Sequence, residues 1–199
     1  MASVVVDEIK KLTPRPTVLF FYFKNGDPDR KGFLAAARSI LSQFLQQDNS
    51  LLDYLYDKCC SSGEAFLTSR KLIVELLTFA FENCTSAYII LDGLDEFNSK
   101  EREERKIVTQ WFRELVEDLP PSNPDRLRCL FVSQDDGPAR KDFAGLARIE
   151  IRADDIKSDL LEFSRVEARR VKSKFHLTDQ RTDELVNSVV DSVGSESRN

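Results

Sequence analysis

The chain has 199 residues, a formal net charge of −5, 41% hydrophobic residues and 32% charged residues. This is a soluble, globular mixture, too apolar for a disordered tail, and its length suits one domain or one and a half. Seven glycines favour helix-rich layers over a glycine-built solenoid, a single histidine (His176) excludes His-pair zinc sites, and the evenly spread charge gives no basic stretch that would point to nucleic acid.

The cysteines Cys59, Cys60, Cys84 and Cys129 show no C-x-x-C spacing. A zinc ribbon is not expected, and the four are read as reduced thiols of a cytoplasmic protein. The N-terminus lacks the charged start and apolar core of a signal peptide. The longest apolar runs fall far short of the ~20 residues that span a bilayer, so no membrane contact is expected.

In chain order, Ser3 to Leu12 is ambiguous. Val4-Val5-Val6 favours a strand by propensity, whereas Val5, Ile9 and Leu12 interleaved with charges favour a helix. A helix is expected, because a strand here would run into the next one with only Thr13 to Pro16 between. Val18 to Phe23 (VLFFYF) is an apolar run of strand length. Phe33 to Gln47 carries Phe33, Leu34, Ala37, Ile40, Leu41, Phe44 and Leu45 on one helical face. Ser69 to Phe81 repeats the pattern with Leu72, Ile73, Leu76, Leu77 and Ala80.

Ala87 to Leu91 (AYIIL) is a second apolar strand. Asn98 with Glu101 predicts a capping box opening a helix whose face is Ile107, Val108, Trp111, Phe112 and Leu115, ended by Pro120-Pro121. Trp111 is expected in the core, facing the sheet. Cys129 to Val132 forms a third strand, and the alternation of Leu146 to Ile151 predicts an outer one. A helix starts at Asp154 or Asp155, and a last one covers Thr178 to Val193. Arg165, Arg169, Arg170, Lys172 and Lys174 read as a solvated face paired with Glu162 and Glu167, and His176 as a surface or capping residue at a helix end. Gly194 to Asn199 shows no pattern. Apolar strands alternating with amphipathic helices define an α/β parallel sheet covered by helices.

The sharpest feature is Ile89-Ile90-Leu91-Asp92-Gly93-Leu94-Asp95-Glu96. Open α/β sheets bind ligands at the carboxyl ends of their strands. A carboxylate fixed there can hold Mg²⁺ through water, and an acid a few residues on can position and deprotonate an attacking water. Asp92 is therefore the metal candidate, with Glu96 or Asp95 as the catalytic candidate. The alternative is a solvated acidic turn that caps the next segment. A metal-dependent nuclease or phosphatase on the same acids would need more carboxylates at other strand ends, and only Asp135 and Asp136 are available. No G-x-x-x-x-G-K-[ST] phosphate loop occurs. Gly26 to Gly32 (GDPDRKG) imitates one, but its glycines are one residue too far apart and its aspartates would repel phosphate.

Val4 to Ile9, Phe20 to Phe23, Phe33 to Leu45, Ile90 to Glu96 and Arg128 to Gln134 together resemble, in order, a fungal-type NACHT module of the STAND class of P-loop NTPases, close to the nephrocystin-like N-terminal domain group. The resemblance implies a signalling NTPase, a nucleotide-dependent switch that uses Mg²⁺ and ATP or GTP. Asp92 would serve the metal and Glu96 or Asp95 the water. Ser133 and Gln134 would face the nucleotide, with Gln134 standing where many members carry arginine; a glutamine can hydrogen-bond a phosphate but cannot neutralise it.

In the family the phosphate loop ends just ahead of the segment resembling Ser3 to Val6, where this chain has Met1. The resemblance therefore implies a partial P-loop NTPase-like domain over residues 1–175, missing its first strand, and a helical start of a following region over 176–199. The missing strand would lie between the strands matching Cys129 to Ser133 and Leu146 to Ile151. Two unpaired edges and low solubility are the expected consequence. Tight nucleotide binding by this chain is not expected. The implied partners are a further copy or the rest of a larger repeat-containing regulator; the alternative is a non-enzymatic interaction module on a degenerate NTPase fold.

Overall fold

A computed structural model describes residues 2–63, 67–120, 122–135 and 137–196. They form two compact units, Met1–Ala144 and Gly145–Asn199.

The first unit is built on three parallel strands, β1 (Thr17–Tyr22), β2 (Ala87–Asp92) and β3 (Leu127–Val132), in the spatial order β1-β2-β3. Phe21 pairs with Leu91, and Leu91 with Phe131, so the strand ends are level. Parallel neighbours need crossovers, and helices supply them: α2 (Gly32–Gln47), α3 (Leu52–Ser62) and α4 (Arg70–Asn83) link β1 to β2, and α5 (Arg102–Glu117) links β2 to β3. α1 (Ala2–Ile9) precedes the sheet, and the short α6 (Gly137–Asp142) follows it. The ambiguous N-terminal segment is thus helical, and the three apolar runs are strands. α3 and α6 are additions to the elements expected from the sequence; α3 buries Leu55 and packs the half-buried Tyr54 and Cys59 against the main core.

Side chains alternate across each strand, so the sheet has two faces. Leu19, Phe21, Ala87, Ile89, Leu91 and Leu127 point to the main core, shared with Phe33, Ile40, Phe44, Ile73, Leu77, Phe81, Val108 and Phe112 of the helices. Phe33, Phe44, Phe81 and Phe112 are among the largest fully buried side chains, each worth ~1.5–3 kcal/mol of transfer free energy. Trp111 joins this core edge-to-face with Phe33 at 5.3 Å and Phe112 at 4.7 Å. The opposite face carries a smaller cluster, Val18 and Ile90 with Ala2 and Val6 of α1. The capping box forms as expected: Lys100 N–H donates to Asn98 Oδ1 at 2.9 Å, and Asn98 N–H to Glu101 Oε2 at 3.1 Å. Ser69 caps α4 with its side chain alone, accepting from Leu72 N–H at 3.3 Å.

The outer edge of β1 is sealed by side chains. Val18 N–H donates to Gln47 Oε1 at 3.2 Å, and Gln47 Nε2 donates to Val18 O at 3.0 Å. Gln43 does the same for Phe20, and Arg30 Nε donates to Tyr22 O at 3.2 Å. These are the residues whose backbone groups face away from β2. Two glutamines one helical turn apart on α2 thus stand in for a neighbouring strand.

The second unit is a helical hairpin of α7 (Ala153–Phe175) and α8 (Asp179–Glu196). Ser164, Ala168, Thr182 and Val186 are buried in it. His176 ends α7 in the left-handed conformation (φ 52°), with Leu177 N–H returning to Lys172 O at 3.2 Å, which agrees with its reading as a capping residue. Within the basic stretch Arg170 pairs with Glu167, and Lys172 with Asp179 across the turn. The outer strand expected over Leu146 to Ile151 does not form. Those residues join no ladder, and Ile149 and Ile151 are 88% and 46% exposed. Alternation supplies one apolar side, but a strand also needs an edge to pair with. The helix α8 also runs on through Gly194 to Glu196, where no pattern is visible in the sequence; residues 197–199 of that tail lie outside the described residues. Among the described residues no helix is long and apolar enough to cross a membrane, and the four cysteines are free thiols.

Candidate functional site

β2 delivers Asp92 to the carboxyl end of the central strand. The ladders continue one residue past the strands: Phe23 N–H donates to Asp92 O at 2.8 Å and Gly93 N–H to Val132 O at 3.1 Å. The chain then turns through Gly93 at φ 83°, where a Cβ would lie 2.8 Å from Phe23 O. Glycine is required there on both counts. Leu94–Glu96 form a single 3₁₀ turn, pinned from below by the fully buried Leu94 and by Phe97, whose ring lies 5.1 Å from that of Phe23. The apolar anchors hold the turn down, so its acids point up and outward. Asp92 and Asp95 are half-buried and Glu96 is exposed.

Each acid of the turn has a different neighbour. Asp95 Oδ1 accepts from Gln134 N–H at 3.3 Å, in the segment after β3. Glu96 Oε2 accepts from Asn25 N–H at 3.2 Å, in the loop after β1. The central acidic turn therefore staples the two flanking strand ends. Asp92 lies on the α1 face beside Tyr22, its register partner. Burial raises its carboxyl above the ordinary aspartate value, with the Gly93 N–H opposing and the Asp95 charge adding. Burial likewise raises the Tyr22 hydroxyl, helped by the charges of Asp92 and Asp7. Ser133 donates from Oγ to Gln134 O at 3.1 Å. The structure thus brings Asp95, Ser133 and Gln134 together, and takes Glu96 toward the β1 loop. Asp135 is engaged by Arg140 in a two-point pair at 2.9 and 3.0 Å, and Asp136 lies outside the described residues. Among the described residues no group of three or more His, Cys, Asp and Glu is placed to hold a metal ion.

The glycine-flanked loop Gly26 to Gly32 is not a phosphate cradle. Asp27 accepts from Asp29 N–H at 3.1 Å, and Lys31 pairs with Glu101. The N-terminus of α2, the place where an anion would bind, is occupied by a carboxylate of the chain itself: Phe33 N–H donates to Glu104 Oε1 at 2.8 Å. Sequence reasoning missed Glu104, which lies 71 residues from Phe33 with no local signal of the contact. It also missed the buried pair of Arg105 on α5 with Asp142 on α6, 2.6 Å apart with side chains 4% and 7% exposed. That pair fixes α6 and so bounds the segment carrying Ser133 and Gln134.

A parallel α/β unit with an acidic turn at the end of its central strand is the class that this fold and site define. Residues 1–134 match the family model described as nephrocystin 3, N-terminal, and the chain belongs to that family. The match runs from α1 to Gln134, the residue bonded to Asp95. No curated protein matches the chain, and no solved structure does.

Proposed function

We propose that this chain is the metal-side part of a nucleotide-dependent switch of the NACHT type, in the STAND class of P-loop NTPases, with residues 1–175 belonging to the NTPase-like domain and 176–199 opening the region that follows. In this reading the protein works in the cytoplasm within a larger regulator or as several copies. The observation that carries it is Asp92, half-buried at the carboxyl end of the central strand, with Asp95 and Glu96 in the turn that follows and Gln134 bonded to Asp95. Asp92 suits Mg²⁺ held through water, an ion that keeps much of its hydration shell and takes one or two carboxylates. Bound there, Mg²⁺ would neutralise phosphate charge. Asp95 or Glu96 would orient and deprotonate a water, and Gln134 would offer a neutral hydrogen bond to a phosphate. The described residues provide no backbone cradle for a triphosphate, since Glu104 closes the N-terminus of α2. In this reading catalysis needs phosphate-binding groups beyond these residues.

A second reading, a non-enzymatic interaction module, is favoured by one observation. Both Asp95 and Glu96 already serve as acceptors for backbone N–H groups of the flanking loops. A Mg²⁺ titration followed by amide NMR separates the two readings. Shifts centred on Asp92 to Glu96 and lost in Asp92→Ala are expected. Shifts elsewhere, or the same shifts in the variant, would remove the metal role and leave the interaction module.

A further inference from the structure

The loop after β1 contains Asn25-Gly26, both exposed, and no other asparagine of the chain precedes a glycine. Lys24 to Asp27 form a turn closed by Asp27 N–H to Lys24 O at 3.4 Å, with Gly26 in third place at φ 75°. Positive φ there is the type II pattern, which glycine adopts without steric cost. A Cβ at Gly26 would meet nothing within 4 Å, so the nitrogen is also open to approach. Asn25 donates its backbone N–H to Glu96 Oε2 at 3.2 Å. Among the described residues neither the Asn25 side-chain amide nor the Gly26 N–H has a hydrogen-bond partner. Two groups able to react with each other are thus adjacent, solvated and unheld. Other candidates are restrained. Asn83 Nδ2 donates to Phe79 O, Asn98 Oδ1 accepts from Lys100 N–H, and Asn123 precedes a proline, which has no N–H. At Asp92-Gly93 the Gly93 N–H is bonded to Val132 O.

We propose that Asn25 is a site of spontaneous modification, converted through a succinimide to aspartate and isoaspartate, and that this conversion releases the staple between the loop after β1 and the acidic turn. The Gly26 nitrogen gives its proton to solvent and attacks Cγ of Asn25. The new C–N bond closes a five-membered ring, and the side-chain nitrogen leaves as ammonia. Water then opens the ring at one of two bonds. Cleavage between Gly26 N and Cγ gives aspartate. Cleavage between Gly26 N and the main-chain carbonyl carbon of residue 25 gives isoaspartate, whose main chain runs through Cβ and Cγ and is one carbon longer. Nothing is oxidised or reduced; one water is consumed and one ammonia released. Either product sets a new carboxylate on the residue that donates to Glu96, and like charges at that range repel. The longer main chain of isoaspartate also breaks the turn that presents the N–H. The reaction therefore reaches the candidate site from one side only, leaving the Asp95 bond to Gln134 in place. This inference does not rest on the nucleotide reading.

Incubation of the folded 199-residue chain in mildly alkaline buffer, sampled over time by peptide mapping, tests it, with the same chain unfolded in urea as the reference. The expected result is that residue 25 converts in the folded chain ahead of every other asparagine, as a mixture of aspartate and isoaspartate. Asn25→Gln, whose ring would have six members and closes slowly, is expected to lose the conversion while keeping the backbone bond to Glu96. Deuterium exchange on the separated isoaspartyl fraction is expected to show loss of protection at the residue 25 amide and unchanged protection at Gln134. A folded chain that keeps Asn25 intact while the urea-unfolded chain converts it would overturn the proposal, as would an isoaspartyl fraction with the residue 25 amide still protected.

Discussion

Gln43 meets Phe20 twice: Phe20 N–H donates to Gln43 Oε1 at 3.0 Å, and Gln43 Nε2 donates to Phe20 O at 2.8 Å. An amide side chain carries both an acceptor oxygen and donor N–H groups, so it can return both bonds of a strand residue. Gln43→Ala should destabilise the protein by about 1–3 kcal/mol, two bonds at ~0.5–1.5 kcal/mol each. Gln43→Glu keeps the acceptor but faces Phe20 O with a second acceptor at neutral pH, so it should cost at least as much. Urea unfolding of the three proteins checks this; equal midpoints for wild type and Gln43→Glu would mean that the seal contributes nothing.

Gly93 is the backbone hinge of the acidic turn. At φ 83° with Phe23 O only 2.8 Å from a Cβ position, Gly93→Ala combines a left-handed backbone with a clash against main chain. A loss of about 1–3 kcal/mol is expected. By contrast Gly26→Ala, also left-handed but with open space around it, should cost less. Thermal unfolding of both variants would reveal the order, and a larger loss at Gly26 would contradict the geometry.

The Arg105–Asp142 pair is buried on both sides. Asp142→Ala leaves a guanidinium in the interior without its carboxylate and should cost about 3–5 kcal/mol, whereas Arg105→Met with Asp142→Leu should recover most of that. Denaturant unfolding of the single and double variants is the check. A double variant as unstable as Asp142→Ala would mean that packing, not charge, governs the site.

Asp92 is held at a cost. Its folded-state carboxyl titrates above the ordinary aspartate value because burial disfavours the charge. The folded protein therefore binds the proton more tightly than the unfolded chain. Its contribution to stability falls as pH rises from the unfolded value through the folded one, and the penalty is constant above both. Asp92→Asn should stabilise the protein at neutral pH, and the advantage should vanish below pH 3.8, the ordinary aspartate value. Melting curves of both proteins from neutral to acidic pH test the sign, and an Asn variant less stable at neutral pH would reverse it.

Much of this fold can be read from local pattern. The runs VLFFYF, AYIIL and CLFV became β1, β2 and β3 because residues apolar on both faces suit a sheet with helices on one side and α1 on the other. Asn98 and Glu101 announced their own capping box. The position of Asp92 followed from the strand that ends in it. Long-range polar contacts left no such trace. Glu104 on Phe33, Gln43 on Phe20 and Arg105 with Asp142 are each set by tertiary packing between elements 71, 23 and 37 residues apart. Leu146 to Ile151 misled because its alternation describes one strand, whereas strand formation is decided by the partner.

The most direct measurement is calorimetric titration of the 199-residue chain with Mg-ATP and Mg-GTP. One metal-side carboxylate and a glutamine, without a phosphate cradle, should leave each affinity at or weaker than about 1 mM, near −4 kcal/mol. Micromolar binding of either nucleotide would contradict the account, because phosphate would then be held by residues that the geometry assigns to capping α2 and stapling the strand ends.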